Sequence, residues 1–339
     1  MRLVVTVDTE ADNQWTPGAP LSTANLGCLP ALQALAERYG VRPTYLVTSE
    51  VLADRQAVGL WRRWVEEGRA EVGAHLHPWT TPPYAGRPGR RANDPGHAFP
   101  SELEPGLLEA KLATLTEQVR AALGRAPTAF RAGRYGFDGR CGQCLQALGY
   151  RVDSSVTPGV SWRRTRGGTA ESRGPDFSRA PLAPYHPSPA DAGRPGDLGL
   201  WEVPVTILYT AFPWSCSRRL AGCLARLDGT LLASVLRRSW AGRQPLWLRP
   251  RPGGGGRHLL AVWEAARRRG LPVAVLMLHS SELLPGASPY WPTARAVAGL
   301  RAALATFFAE LAQRGVECYT LSEVAGHLSD HEAGSVHCP

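Results

Sequence analysis

Apolar positions along this chain fall into short, β-branched runs separated by longer stretches with helical spacing. Residues 3–7 form a nearly unbroken apolar run, the pattern of a strand covered on both faces. Residues 26–39 repeat their apolar positions at helical spacing and end at Gly40, a residue suited to the left-handed turn that closes a helix. Residues 42–48 predict a second strand. Residues 58–67, closing at Gly68, predict a second helix, and residues 70–73 a third strand running straight into His75. Strand, helix and strand in strict alternation argue for parallel strands joined by crossover helices.

The same rhythm continues. Helices are predicted over 107–123, 141–148, 259–269 and 293–314, and strands over 128–131, 151–155, 202–209, 272–278 and 317–320. A further helix is expected at 230–240. Between these elements, 80–100 reads as a long Pro/Gly/Arg-rich loop. Residues 160–200 carry little apolar periodicity, 249–256 are the low-complexity RPRPGGGG, and about 329–339 read as a frayed end. No internal repeat is found. The expectation is an α/β fold, a barrel-like ring of βα units with long loop insertions. Asp8, His75, Arg131, Asp153 and His279 all fall at strand ends, where α/β barrels place their chemistry.

Composition changes this picture little. With 44% hydrophobic and 20% charged residues, the 339-residue chain is an ordinary globular protein able to bury a sizeable core. It carries 38 basic against 29 acidic residues, a net charge of +9. Lys111 is the only lysine, so the surplus is almost all arginine, a skew consistent with a GC-rich genome. Attraction to an anionic partner is the functional alternative. The arginines are dispersed, so charge alone does not argue for nucleic acid. The seven cysteines lack a secreted disulfide framework, and the Cys141–Cys144 pair has no second CxxC to complete a zinc site. The first residues show no signal-peptide pattern, and no apolar run reaches the roughly 18 residues of a membrane span. These features lead to the expectation of a cytoplasmic protein with reduced thiols.

Four clusters carry chemistry. In Val7-Asp8-Thr9-Glu10-Ala11-Asp12, Asp8 and Glu10 point to one side of an extended chain, where a cation would relieve their repulsion. In Gly73-Ala74-His75-Leu76-His77-Pro78-Trp79, Pro78 biases His77 towards extended backbone, so both imidazoles share a face, as paired metal ligands do. In Phe130-Arg131-Ala132-Gly133-Arg134-Tyr135-Gly136, a permanently charged Arg131 suits holding a carboxylate, and the glycines permit close backbone approach. In Leu276-Met277-Leu278-His279-Ser280-Ser281-Glu282, His279 directly after a buried strand is placed as a general acid or base. Trp79, Tyr84, Tyr290 and Trp291 lie just beyond these segments and offer aromatic faces to a sugar. A solvated acidic turn, hydrogen-bonded loop histidines, a surface salt bridge and a core histidine are the plainer readings of the four clusters taken singly.

Taken in order, TVDTE, RPTYLVT, EVGAHLHPW, FRAGRYG, YRVDSS and MLHSSE resemble the polysaccharide deacetylase superfamily (the NodB-homology domain), in particular a bacterial subgroup with HLHPW and HSSE signatures. The resemblance spans roughly residues 3–158 and 200–325. It implies a distorted (β/α)7-type barrel over 1–325, with 160–256 as a variable insert or lid and 326–339 as a tail. It implies hydrolysis of an amide, the deacetylation of an amino sugar or related glycolipid or small molecule. Asp8 would be the base, His279 the acid and Arg131 the residue orienting Asp8. Glu10, His75 and His77 would hold one divalent metal, zinc first, with cobalt, nickel or iron as alternatives. Trp79, Arg134, Tyr135, Asp153 and Glu282 would meet the substrate, a small molecule or glycan, with an anionic one as an alternative. This sequence departs from the family pattern: Thr9 separates the two acids, the second acid is Glu, and the histidines are two apart rather than four. Asp12 and His97 are therefore rival ligands. A metal-independent C–N hydrolase acting on a ureide, cyclic amide or formamido sugar, and a non-catalytic carbohydrate-binding relative, are the competing functions.

Overall fold

The structure, a computed structural model, describes residues 1–12, 14, 20–84, 98–168, 171–208 and 245–336. The expected helix at 230–240, most of the 80–100 loop including His97, and Tyr209 lie outside these residues.

The core is a parallel sheet whose strands alternate with helices. In chain order the elements are β1 (Arg2–Thr9), α1 (Leu29–Glu37), β2 (Thr44–Val47), α2 (Arg55–Glu66), β3 (Glu71–Leu76), α3 (Pro105–Leu123), β4 (Ala129–Ala132), α4 (Gly139–Ala147), β5 (Val152–Asp153) and β6 (Trp201–Glu202). They continue with β7 (Ile207–Leu208), β8 (Leu246–Trp247), α5 (Gly255–Arg268), β9 (Val273–His279), α6 (Ala294–Gln313), β10 (Cys318–Tyr319) and α7 (Leu321–Val336). Helix starts are set by local chemistry: the Asp54, Asp138 and Thr293 side chains accept the backbone N–H of Ala57, Cys141 and Ala296, groups that have no partner within their own helix.

β1 is the hub. β9 pairs along one edge from Arg2 to Asp8, while the other edge carries β10 at Leu3–Val4 and β2 at Thr6–Thr9. From β2 the sheet runs in parallel through β3, β4, β5 and β6. It curls until β6 and β9 approach, and the ring is closed by single bonds rather than a ladder. Val275 N–H donates to the Thr206 hydroxyl at 2.8 Å and Met277 N–H to the Leu248 carbonyl at 3.2 Å, across the short antiparallel β7–β8 pair. This is the distorted α/β barrel that the sequence resemblance implies.

The period-two alternation of the strands decides what faces the ring's interior. Leu3, Val5 and Val7 of β1, with Tyr45, Val72, Ala74, Phe130, Leu276 and Leu278, pack outward against the helices. Val4, Leu46, Ala129, Val152, Val273 and Val275 pack inward, and Leu321, Val324 and Ala325 of α7 plug the lower end of the ring. The segment expected to fray, about 329–339, continues α7 as helix to Val336, and the first turns of α7, ahead of that segment, are part of the core. The inward phase continues upward in β1 to Thr6 and Asp8, in β3 to His75, in β4 to Arg131 and in β9 to His279, so polar groups collect at one end of an apolar barrel.

The 202–209 strand is two short strands with irregular backbone between them, and β8 was not foreseen. The described residues of 160–200 form loops tied by isolated bridges such as Ser161 with Asp176 and Tyr185 with Glu202. Cys141 and Cys144 are free thiols on α4. Among the described residues no helix is long and apolar enough to cross a membrane.

Candidate active site

Register brings the polar strand ends together: Asp8 is level with His279 across the β1–β9 ladder, and His75 is level with Arg131 across β3–β4. Glu10 continues the inward phase of β1 past the strand. Its carbonyl accepts the Asn25 side-chain amide at 2.9 Å, and its N–H donates to the Ser280 hydroxyl at 3.2 Å, which fixes the loop. His77 continues the inward phase of β3, and the turn after it is held from behind. The buried Lys111 ammonium donates to the carbonyls of Pro78, at 2.9 Å, and of Thr81. Trp79 stacks on the His77 ring with centroids 4.3 Å apart.

Glu10, His75 and His77 converge. One Glu10 carboxylate oxygen lies 3.2 Å from His77 Nε2 and 3.8 Å from His75 Nε2, and one ligand atom from each residue falls within 4.8 Å of the others. His75 Nδ1 is 2.9 Å from the Arg131 carbonyl, a partner that turns the Nε2 lone pair towards Glu10. Burial pushes Glu10 up to about 7 and both imidazoles down to about 4. The histidines are therefore neutral donors at neutral pH, and one carboxylate is costly to ionise without a cation. Two imidazoles and a carboxylate on one side of a cavity fit a divalent metal with open coordination positions.

Beside this triad stands a second pair. Burial works against the Asp8 charge, but the Arg131 guanidinium, helped by the His75 and His279 imidazoles, outweighs it and holds Asp8 down at about 2. Arg131 is fully buried and its remaining donors are used by the Ser154 carbonyl at 2.6 Å, the Ser154 hydroxyl at 2.9 Å and the Thr6 hydroxyl at 2.9 Å. His279 Nε2 lies 3.8 Å from Asp8 and its Nδ1 3.2 Å from Glu282. Burial opposes protonation of His279, yet Glu10, Glu282 and Asp8 together raise it above its ordinary value. Glu282 in turn is bonded by Arg249, which keeps this buried carboxyl ionised.

Asp8, Glu10, His75, His77 and His279 form the floor of a cavity of about 680 Å³, which Trp79, Arg134, Tyr135 and Tyr290 also line. Arg134 and Tyr135 are two consecutive non-glycine residues with positive φ, 51° and 59°, in the turn after β4. Left-handed backbone costs each roughly 1–2 kcal/mol, and here it aims both side chains into the cavity. Gly133 ahead of them is required by space: a Cβ there would lie 2.6 Å from His77 Cδ2 and 2.6 Å from the Leu76 carbonyl oxygen.

Several expected residues sit elsewhere. Asp153 does not reach the cavity. Val152 takes the inward phase of β5, so Asp153 faces outward and is fully buried, where it accepts the Ser155 hydroxyl at 2.6 Å. Burial raises both Asp153 and its neighbour Glu202. Glu282 is also fully buried and stands behind His279 rather than at the substrate. Asp12 is spent on loop structure, accepting from Ser22, Ala24 and Asn25, and is not a ligand. Tyr84 lies over the Lys111 ammonium and Trp291 is buried away from the cavity. The aromatic wall is instead Tyr135, Trp162 and Trp247, with the Tyr135 and Trp162 rings stacked at 5.4 Å and Trp247 at 6.0 and 6.5 Å from them. Trp162 and Trp247 come from opposite ends of the weakly patterned 160–256 region, where no periodicity marked them.

No protein-family model matches the sequence, and no curated protein matches it in sequence. Solved structures do match in shape. A Mycobacterium smegmatis protein described provisionally as a polysaccharide deacetylase superposes with a TM-score of 0.55 at 16% identity, over 98% of this chain and 92% of that one. A Parabacteroides distasonis protein described provisionally as a glycoside hydrolase or deacetylase gives 0.60 at 13%, over 96% of this chain and 70% of that one. A 4-α-glucanotransferase from Thermococcus litoralis gives 0.52 at 10%, over 95% of this chain but 39% of that one. Likeness at such identity establishes the barrel. The third structure, whose name denotes glycosyl transfer, shows that this fold by itself does not select the chemistry.

Proposed function

We propose that the protein is a metal-dependent amide hydrolase that removes an acyl group, acetyl in the first instance, from an amino sugar or a related sugar-containing molecule. The observation that carries this reading is the meeting of three groups over one cavity floor: the Glu10–His75–His77 triad, the Asp8–Arg131 pair and the His279–Glu282 pair. The structural neighbours described as deacetylases support it as analogy of fold.

Glu10, His75 and His77 would hold the metal. A divalent cation held there would supply Lewis acidity for the acyl carbonyl and for the attacking water, which Asp8, held at about 2, is too weak a base to deprotonate unaided. Asp8, kept ionised and oriented by Arg131, accepts the proton of the attacking water. His279, whose protonated form its carboxylate neighbours favour against burial, donates to the leaving nitrogen. Glu282 and Arg249 fix the His279 ring so that Nε2 faces Asp8 and the cavity. A backbone amide of the Arg134–Tyr135 turn would donate to the developing oxyanion.

The test is elemental analysis of purified protein beside a Glu10→Ala, His75→Ala, His77→Ala variant, followed by acetate release from N-acetylated amino sugars. About one metal per chain in the wild type, absent from the variant, with metal-dependent acetate release, is the expected result. Activity undiminished by chelation would instead favour a metal-independent C–N hydrolase.

A further inference from the structure

The cavity is chemically divided. Its floor holds Asp8, Glu10 and the three histidines already described, one wall is Tyr135, Trp162 and Trp247, and its border carries three arginines, Arg134, Arg249 and Arg251. Two buried or partly buried arginines near the floor have carboxylate partners: Arg131 with Asp8, and Arg249 with Glu282. Arg134 and Arg251 differ. Among the described residues, no carboxylate lies within ion-pair distance of either guanidinium, although both border the cavity.

We infer that this border is a subsite for an oxyanion carried by the substrate, so that the molecule hydrolysed is an N-acylated amino sugar bearing a phosphate or carboxylate, bound through Arg134 and Arg251. This deepens the proposed function and rests on it.

Two observations support the assignment. First, Arg134 is preorganised. Its backbone is held at φ 51°, and its guanidinium lies over the Trp79 ring, 5.3 Å from the centroid, which leaves the N–H edge for a planar or tetrahedral oxyanion. Second, burial works against the Arg134 charge, and Glu102 and Glu10 favour it only from beyond ion-pair distance, so a ligand oxyanion would be its direct partner. With the amide at the floor, the sugar ring would lie against the Trp162–Trp247 wall and its oxyanion would meet the arginines at the border. The net charge of +9, uninformative while spread along the sequence, acquires a local use here.

The experiment compares N-acetylglucosamine, its 1-phosphate, UDP-N-acetylglucosamine and N-acetylmuramic acid with metal-loaded protein, measuring both equilibrium binding by calorimetry and kcat/KM for acetate release, in phosphate-free buffer. The expected result is on the order of 10–100-fold tighter binding and higher kcat/KM for the charged probes, carried by KM and weakened by salt. The phosphate probes and the muramic acid separate the two kinds of oxyanion, and preference for either supports the subsite. In an Arg134→Gln, Arg251→Gln double variant the charged-to-neutral ratio should collapse to within about threefold. Equal binding of charged and neutral probes by the wild type, or an unchanged ratio in the double variant, would overturn the inference. Binding decides it independently of turnover: charged probes bound preferentially but never hydrolysed would sink the deacylase reading and leave the oxyanion subsite standing.

Discussion

Gly133→Ala adds one methyl group between β4 and the metal-ligand turn, and its effect can be worked from distances. The new Cβ would stand 2.6 Å from His77 Cδ2 and 2.6 Å from the Leu76 carbonyl oxygen, each roughly 1 Å inside ordinary contact. The carbonyl belongs to β3, which is laddered to β2 and β4 and cannot retreat, so the imidazole must move. His77 is also stacked on Trp79, and Lys111 pins the turn that follows it, so the displacement of about 1 Å falls on the ligand atom itself. Forcing extra volume into a tight site costs about 1–3 kcal/mol of stability, and a ligand moved this far loses on the order of 10–100-fold in metal affinity. Competition with a chromophoric chelator measures the affinity, and thermal melting of the metal-free protein measures the stability. Gly59→Ala is the control: it lies in α2 with open space where its Cβ would be, and should stabilise by roughly 0.5–1 kcal/mol. If Gly133→Ala binds metal as tightly as the wild type and melts at the same temperature, the placement of His77 against this turn is wrong.

Other outcomes follow from the same geometry. Because burial raises Glu10 to about 7 and lowers His75 and His77 to about 4, the metal-free site at pH 6 has a protonated Glu10 and neutral imidazoles. Metal binding there should release about one proton and weaken roughly tenfold per pH unit below 7. Calorimetry in buffers of different ionisation enthalpy reads the proton count, and zero at pH 6 contradicts the assignment. Glu282→Gln keeps the shape but removes a charge that raises His279, so the alkaline limb of the pH–kcat/KM profile should move to lower pH; a limb that stays put removes His279 from the role of acid. Asp8, held at about 2 against an ordinary 3.8, stabilises the fold above pH 3.8, and that stability is lost as pH falls through 2. The contribution is about 2 kcal/mol and should be missing from the acid-unfolding curve of Asp8→Asn. Lys111→Met leaves the Pro78 and Thr81 carbonyls without their donor, which should cost about 1–3 kcal/mol and weaken metal binding through the His77 turn; an unchanged metal affinity would make Lys111 a purely structural residue.

The floor of the site was legible in the sequence because its spacing and its environment are both local. Asp8 and Glu10, and His75 and His77, are two apart on extended backbone, so whatever the fold, each pair shares a face. The glycines and arginines of FRAGRYG likewise follow one strand end. The Asp153 expectation failed for an equally physical reason. Alternation gives two phases, and nothing within RVDSS says which phase faces inward, because both Val152 and Asp153 end up buried. A shift of one residue exchanges the faces. Glu282 was recognised as important but placed against the substrate, since the sequence does not reveal that Arg249 and His279 enclose it.

The sequence by itself determined the βα alternation, the short-range pairing of ligands and the kind of chemistry such side chains perform, all consequences of backbone periods that operate over a few residues. Tertiary structure alone decided which phase of each strand looks into the barrel, that Asp12 is spent on its own loop, that the single lysine pins the His77 turn, and that Trp162 and Trp247 share a wall. Those outcomes depend on sheet curl and on contacts between residues far apart in the chain, where the energies of burial and charge pairing are settled by three-dimensional distance and no local pattern records them.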